Sequence, residues 1–201
     1  MKTLSIDDLH ALRLAIYDNA EDLHREADLL LQHSMFSRAY LLAHFCIEEL
    51  GKIPIIVNVV GSLVRGESVD WKQANRRFSS HVEKIASQNG HSYAFGAKLD
   101  TGGNSDVQSL VTANQAVQNS YEKKNLSTYV DARGGKIFRP SETIAQEDAV
   151  RLVASACECL RVHRRSESLT NPLIYEAIDS GAAQDGTYWN ERERSRRRFS
   201  E

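Results

Sequence analysis

Apolar and polar residues recur at helical spacing along most of this chain. The first such pattern predicts a helix from Ser5, as N-cap with Asp8 in its first turn, to about His33. One apolar face of that helix is made of residues three or four positions apart: Ala20, Leu23, Ala27, Leu30 and Leu31. A second helix is predicted over about 37–64. Pro54 should bend it, because the proline ring clashes with the carbonyl four residues back.

The middle of the chain alternates helical and irregular segments. A third helix is predicted over about 71–88, followed by a long loop rich in Gly, Asn and Ser over 89–106. Helical composition returns over 107–124. The segment 125–140 is predicted to be extended, and the Gly-Gly pair within it could turn a small hairpin.

The last helix is predicted to begin near Thr143, because Thr143 and Gln146 have the spacing of a capping box. It should run to about Arg165. Long helices and short links favour an all-α, up-and-down bundle of four to five helices with an irregular insertion or hairpin around 125–140. We therefore predict one helical domain over 1–165. A C-terminal extension, 166–201, should end in a basic and flexible tail.

Composition and charge place few limits on function. A chain of 201 residues with 41% hydrophobic residues can bury one core, and the net charge of −2 gives no general attraction to nucleic acid or membrane. Cys46 and Cys157 lie on apolar helical patterns and are predicted to be core residues, so a reducing compartment is expected. The N-terminus becomes acidic too early for a signal peptide, and the longest apolar run is too short to span a bilayer. We expect a cytoplasmic protein without a membrane partner.

The stretch AHFCIEELGKIP places two carboxylates and a lysine inside an apolar helical run. Glu49 shares a helical face with Cys46 and Ile53, so we predict that Glu49 points inward. An inward carboxylate is costly unless it has a partner or a function. Lys52 can pair with either Glu48 or Glu49 at helical spacing, and a plain surface ion pair is the alternative. A mid-helix glycine at position 51 indicates a close approach by another backbone or a ligand.

Two further segments carry candidate chemistry. His81 and Lys84 are one helical turn apart, either as a solvated pair or as partners of Glu49 in the bundle interior. A Glu–His pair supports proton transfer, and two ligands alone do not predict a metal site. Tyr129 and Asp131 would point to one side of an extended segment, either for packing and turning or to close over the helical carboxylates.

These segments together resemble the AbiV family of bacterial abortive-infection (phage-defence) proteins, a branch of the HEPN superfamily. The resemblance covers roughly residues 15–165. It rests on four pieces in order: RAYLLAHFCIEELGK (38–52), HVEK (81–84), KKNLSTYVD (123–131) and PSETIAQEDA (140–149). It implies a cytoplasmic helical bundle that halts phage propagation by interfering with RNA or translation. It also makes these positions the ones to carry over: Glu48, Glu49, Lys52, His81, Lys84, Tyr129 and Asp131.

The resemblance also raises a metal-independent endoribonuclease activity. Many HEPN proteins are RNases with an Arg, four to six residues and then a His. Arg76 with His81, and Arg38 with His44, have such spacing. The Asn, Asp or His that usually follows the Arg is absent at both places, so the sequence leaves nuclease activity open. If it exists, His81 is the general base or acid and an Arg stabilises the phosphate charge. Glu49 orients the base, and Arg76 and Lys84 complete the predicted catalytic set.

Other functions remain open at this point. The polar cluster could be a structural network in a module that binds a phage or host protein. It could also be a nucleotide pocket lined by Lys52, His81 and Lys84. No cofactor is predicted. The resemblance suggests a homodimer, for which we expected exposed apolar positions such as Ile55, Val59 and Leu63 to supply an interface.

Overall fold

The structure, a computed structural model, describes residues 3–96 and 107–168. Its elements, in chain order, are α1 (Ile6–Gln32), α2 (Phe36–Leu50), α3 (Lys52–Val64), α4 (Trp71–Ser79), α5 (His81–His91), a π-helical turn (Ser92–Gly96), α6 (Val107–Gln115), α7 (Val117–Thr128), β1 (Asp131–Arg133), β2 (Lys136–Phe138), α8 (Pro140–Thr143) and α9 (Gln146–Ser168). The predicted all-α class is confirmed. Part of the predicted loop, 97–106, and the predicted tail, 169–201, lie outside the described residues.

The first helix begins where its capping residues predict. The backbone amide of Asp8 donates to Oγ of Ser5 at 3.1 Å, and the amide of Ser5 donates to the Asp8 carboxylate at 3.0 Å. This reciprocal pair satisfies amides that the helix itself leaves unbonded. The carboxylate also lies at the positive end of the helix dipole. The predicted N-cap is confirmed.

The predicted second helix is two helices that meet at Gly51. Pro54 lies in the first turn of α3, and the residue four positions back is Leu50, the last residue of α2. Proline thus ends α2 by the mechanism expected, although the break falls at the glycine. A Cβ on Gly51 would lie 2.0 Å from the carbonyl oxygen of Lys84, so the glycine lets α5 cross closely against this junction.

The predicted third helix is also interrupted, at Ser80. The Ser80 hydroxyl accepts from the amide of Glu83 at 3.3 Å and caps a new helix, α5. His81 is therefore the first residue of α5 rather than a mid-helix residue. Serine competes with the helical ladder in this way wherever its side chain can bond the backbone.

Three other element boundaries correct the sequence analysis. α5 and the π-helical turn after it extend to Gly96, so residues 89–96 are helical and not part of a loop. α7 continues to Thr128, so residues 125–128 are helical and not extended. Thr143 ends α8, and its hydroxyl donates to the carbonyl of Arg139 at 2.8 Å, so the predicted capping box with Gln146 is wrong.

The predicted hairpin is present. β1 and β2 pair antiparallel, with Arg133 opposite Lys136. Gly134 and Gly135 between them have φ of 57° and 77°, values that glycine adopts without strain. After the hairpin, the Ser37 hydroxyl donates to the carbonyl of Pro140 at 2.6 Å, which ties the following turn to the start of α2.

α2 lies at the centre of the bundle and packs against α1, α5, α7 and α9. It is therefore buried on several sides, unlike a surface helix with one apolar stripe. Ile55 and Val59 of α3 are buried in the core, so the expectation that they form an exposed dimer interface is wrong. Cys46 is buried as predicted, whereas Cys157 is exposed. Within the described residues, no helix is long and apolar enough to cross a membrane.

Candidate functional site

The inward carboxylate of α2 is Glu48 and not Glu49. The Glu48 side chain is only 3% exposed, whereas the Glu49 side chain is 20% exposed and pairs with Lys52. The prediction for Glu49 assumed one buried face of α2. Because α2 is surrounded by other helices, the face with Glu48 and His44 is buried as well. Glu48 therefore takes the role that the sequence analysis gave to Glu49.

Imidazole and ammonium groups from three helices surround the Glu48 carboxylate. Oε2 lies 2.6 Å from Nδ1 of His81 and 2.8 Å from Nζ of Lys84. Oε1 lies 3.2 Å from Nδ1 of His44 and 3.6 Å from Nζ of Lys124. We call these five residues the Glu48 cluster. It joins α2, α5 and α7 at one point of the bundle.

The cluster fixes the charge of Glu48. Burial alone would raise the pKa of this carboxyl group, but its contacts with His44, Lys84 and His81 outweigh burial and hold the pKa well below its usual range. Glu48 is therefore a carboxylate at all physiological pH values. Among the described residues, no group of three or more His, Cys, Asp or Glu side chains is placed to hold a metal ion.

His81 connects this buried charge to solvent. Its side chain is 40% exposed, and its ring lies 5.1 Å from the Tyr121 ring, centroid to centroid. Since Glu48 is ionised and accepts only, Nδ1 of His81 carries the proton in the 2.6 Å contact. In the neutral ring, Nε2 then has the free lone pair. This is the arrangement in which a carboxylate orients a histidine as a general base.

His81 also lines an open cleft of about 640 Å³ between α2, α7 and the start of the hairpin. The cleft is lined by Phe45, His81, Tyr121, Lys124, Asn125, Leu126, Thr128, Tyr129, Val130 and Asp131. The structure thus brings the predicted residues Tyr129 and Asp131 to the same cleft as His81. Both lie where α7 ends and the chain turns into β1. Closure of this segment over the helical carboxylates stays a prediction.

Lys124 forms the cationic floor of the cleft. Its side chain is 6% exposed, and Nζ lies 4.4 Å from the centre of the Tyr121 ring and 5.8 Å from that of Phe45. Both distances suit a cation–π contact. The neighbouring Lys123 instead pairs with Asp148 at 2.6 Å, on another face of α7.

Three of the predicted site residues lie apart from Glu48. Lys52 pairs with Glu49, as one of the predicted alternatives had it. Arg76 is exposed on α4 and makes no ion pair with Glu48, whereas its neighbour Arg77 donates to Oγ of Ser87 at 3.1 Å. Of the predicted catalytic set, Glu49 and Arg76 therefore lie outside the cluster, and His81 and Lys84 lie within it. Lys52, predicted as a binding residue, also lies outside it.

Sequence reasoning did not place two members of the Glu48 cluster beside the carboxylate, and it considered His44 only as the possible partner of Arg38. His44 precedes Glu48 by four residues, a spacing that could have identified it. Lys124 lies within the segment KKNLSTYVD that resembles the family. Which side of α7 it occupies depends on the helix continuing to Thr128, and the amino-acid composition did not indicate that continuation. Its partner, Glu48, is also far away in sequence.

Comparison with known proteins gives one result. A model of the HEPN_AbiV family, described as AbiV, matches residues 8–161, which is most of the chain. That range contains every residue of the Glu48 cluster and of the cleft lining. No curated protein and no solved structure is significantly similar to the chain.

Proposed function

The chain belongs to the AbiV family of HEPN proteins, and on that premise we propose that it is an abortive-infection effector that halts phage propagation by cleaving RNA. Family membership supports the abortive-infection role. The RNA target is our proposal, and it rests on the cleft. The single observation that carries it is a half-exposed histidine held on a buried carboxylate at the edge of an aromatic, cationic cleft.

The proposed chemistry is attack by a ribose 2′-hydroxyl on the adjacent phosphodiester. Nε2 of His81 takes the 2′-hydroxyl proton as the new P–O bond forms. The bond from phosphorus to the 5′-oxygen breaks, and that oxygen takes a proton from water. The products are a 2′,3′-cyclic phosphate and a 5′-hydroxyl end. Glu48 stabilises the imidazolium that forms and keeps the ring in the productive orientation.

The cleft also suits the substrate. Tyr121, Tyr129 and Phe45 present aromatic surface on which unpaired bases can stack, and stacking of this kind tolerates any sequence. Tyr129 is 67% exposed, so its ring is accessible to a base that enters the cleft. A single-stranded RNA segment therefore fits this site better than a duplex.

The test uses cells that express wild type or His81→Asn during phage challenge. Asn keeps a donor near the position of Nδ1, so the contact with Glu48 survives, but it removes Nε2. We expect discrete RNA fragments and arrested protein synthesis with wild type, and neither with His81→Asn. His33→Ala, an exposed histidine at the end of α1, is the control and should behave as wild type.

Intact RNA in wild-type cells whose translation is nevertheless arrested would contradict the nuclease proposal. It would favour a second candidate function, a module that binds a phage-encoded or host protein or a second copy of this chain. The observation favouring this candidate is the exposed apolar surface of Tyr129, Val130 and Ile137, each about two thirds exposed at the hairpin. In that case Ile137→Ser would abolish defence while His81→Asn retained it.

A further inference from the structure

We infer that the cleft contains a phosphate-binding subsite and that Lys124 supplies its cation. This inference rests on the proposed function in one respect, because RNA is the expected source of the phosphate. The role of Lys124 is separate from the proton transfer assigned to His81. The sequence analysis had given the phosphate to an arginine.

Lys124 is a buried ammonium group without a good acceptor among the described residues. Nζ lies 3.6 Å from Oε1 of Glu48, which is an ion-pair distance but too long for a normal hydrogen bond. Its other polar neighbour is Nδ1 of His81 at 3.5 Å. That nitrogen carries a proton toward Glu48, so it offers no lone pair to the ammonium.

The charges of the Glu48 cluster do not cancel. One carboxylate faces two ammonium groups, and Lys84 takes the short contact with Glu48 at 2.8 Å. The faces of Tyr121 and Phe45 stabilise the Lys124 cation only in part. A buried charge that lacks a hydrogen-bonding partner is costly, so its position calls for an acceptor. Since Lys124 lines the cleft, an anion that enters the cleft would supply that acceptor.

The surroundings of Lys124 identify the anion as a phosphate of single-stranded nucleic acid. Tyr121 lies against both Lys124 and His81, so one aromatic wall adjoins the cation and the base. Asn125 adds an amide oxygen that suits sugar hydroxyls or base amino groups. A cationic groove combined with aromatic rings is the pattern of single-strand binding sites.

The test is binding of a short 2′-fluoro oligouridine, which lacks the attacking hydroxyl, to purified protein over a range of salt concentrations. Uridine monophosphate and inorganic phosphate are the small probes. Lys124→Met keeps an unbranched apolar stem against the two rings, and Lys124→Arg keeps the charge. Lys123→Met is the matched control, because it removes an equal charge from the same helix outside the cleft.

We expect Lys124→Met to weaken oligouridine binding by about ten- to a hundredfold, as for loss of one charged hydrogen bond. The slope of log affinity against log salt should fall by about 0.7, the value for one single-strand phosphate contact. Lys124→Arg should retain most of the affinity, and Lys123→Met should match wild type. If the affinity for uridine monophosphate depends on Lys124 as strongly as the affinity for oligouridine does, the ligand is a free nucleotide. If only the oligomer binds, the ligand is RNA.

Unchanged affinity and salt slope in a folded Lys124→Met protein would overturn the inference. Thermal unfolding of each variant establishes that it is folded. The outcome is independent of the proposed reaction. Lys124-dependent binding without any RNA cleavage by wild type would leave the subsite in place and refute the nuclease. Cleavage by wild type that Lys124→Met does not impair would refute the subsite alone.

Discussion

Replacing Glu48 with Gln should destabilise the protein strongly, and replacing its neighbour Glu49 should not. Glu48→Gln leaves the ammonium groups of Lys84 and Lys124 close together without their shared anion. Removing one partner from a buried ion pair costs about 3–5 kcal/mol. Glu49 and Lys52 have side chains 20% and 23% exposed, so Glu49→Gln should cost about 1 kcal/mol or less.

Urea unfolding and thermal unfolding at neutral pH, both followed by circular dichroism, measure this difference as a free energy of unfolding and as Tm. For a domain of this size, each kcal/mol corresponds to about 2–4 °C in Tm, so Glu48→Gln should lower Tm by at least about 6 °C. Equal effects of the two substitutions, or a larger effect at Glu49, would refute the assignment of Glu48 as the buried anion. A nearly neutral Glu48→Gln would refute the charge argument itself.

The pH dependence of stability tests the same prediction in a second way. The folded-state pKa of Glu48 lies below the unfolded value near 4.5, so its stabilisation is complete above that value. It is lost as pH falls toward the lowered folded-state pKa. The stability difference between wild type and Glu48→Gln should therefore shrink below about pH 4.5. A difference that grows on acidification would contradict the sign of this linkage.

Three more predictions concern other parts of the molecule. Gly51→Ala should lower the free energy of unfolding by about 3 kcal/mol, because its Cβ would lie 2.0 Å from the Lys84 carbonyl oxygen. Gly90→Ala is the control: its Cβ would have nothing within 4 Å, so it should be neutral or stabilising in the same unfolding assay. Burial lowers the pKa of His91 to about 4, so on acidification the imidazole is protonated in the unfolded state before it is protonated in the folded state. Stability is therefore lost as pH falls from 6.5 to 4. His91→Gln should reduce the slope of Tm with pH over this range, and an unchanged slope would refute the prediction. Tyr129→Ala should leave Tm within about 2 °C of wild type but weaken oligouridine binding, since the side chain is exposed in the cleft. A large loss of Tm would show instead that the Tyr129 side chain packs in the core.

The parts of the fold that depend on neighbours in sequence could be predicted. The N-cap at Ser5 and the Gly-Gly turn of the hairpin are local, and both are confirmed. Pro54 correctly predicted a discontinuity in the long second helix. Ser80 was missed as a break, because a serine within a helical pattern does not by itself show whether its side chain will cap a new helix.

The candidate site was predicted only in part, for a tertiary reason. A helical wheel ranks Glu49 as inward because it assumes that α2 buries one face. α2 is the central helix, so the burial of Glu48 depends on α5 and α7, which lie far away in sequence. Lys124 reaches Glu48 by the same long-range packing. His81 was a candidate because its segment belongs to the ordered set that resembles the family, and its contact with Glu48 is seen only in the folded chain.

The most direct test of the account is RNA cleavage by purified protein, comparing wild type with His81→Asn on the same single-stranded RNA. Unfolding curves of the two proteins should nearly coincide, since Asn preserves a donor to Glu48. The account predicts fragments with 2′,3′-cyclic phosphate and 5′-hydroxyl ends from wild type, and none from His81→Asn or from RNA carrying 2′-deoxyribose at the cleaved position. Equal cleavage by His81→Asn, or cleavage at the deoxyribose position, would contradict it.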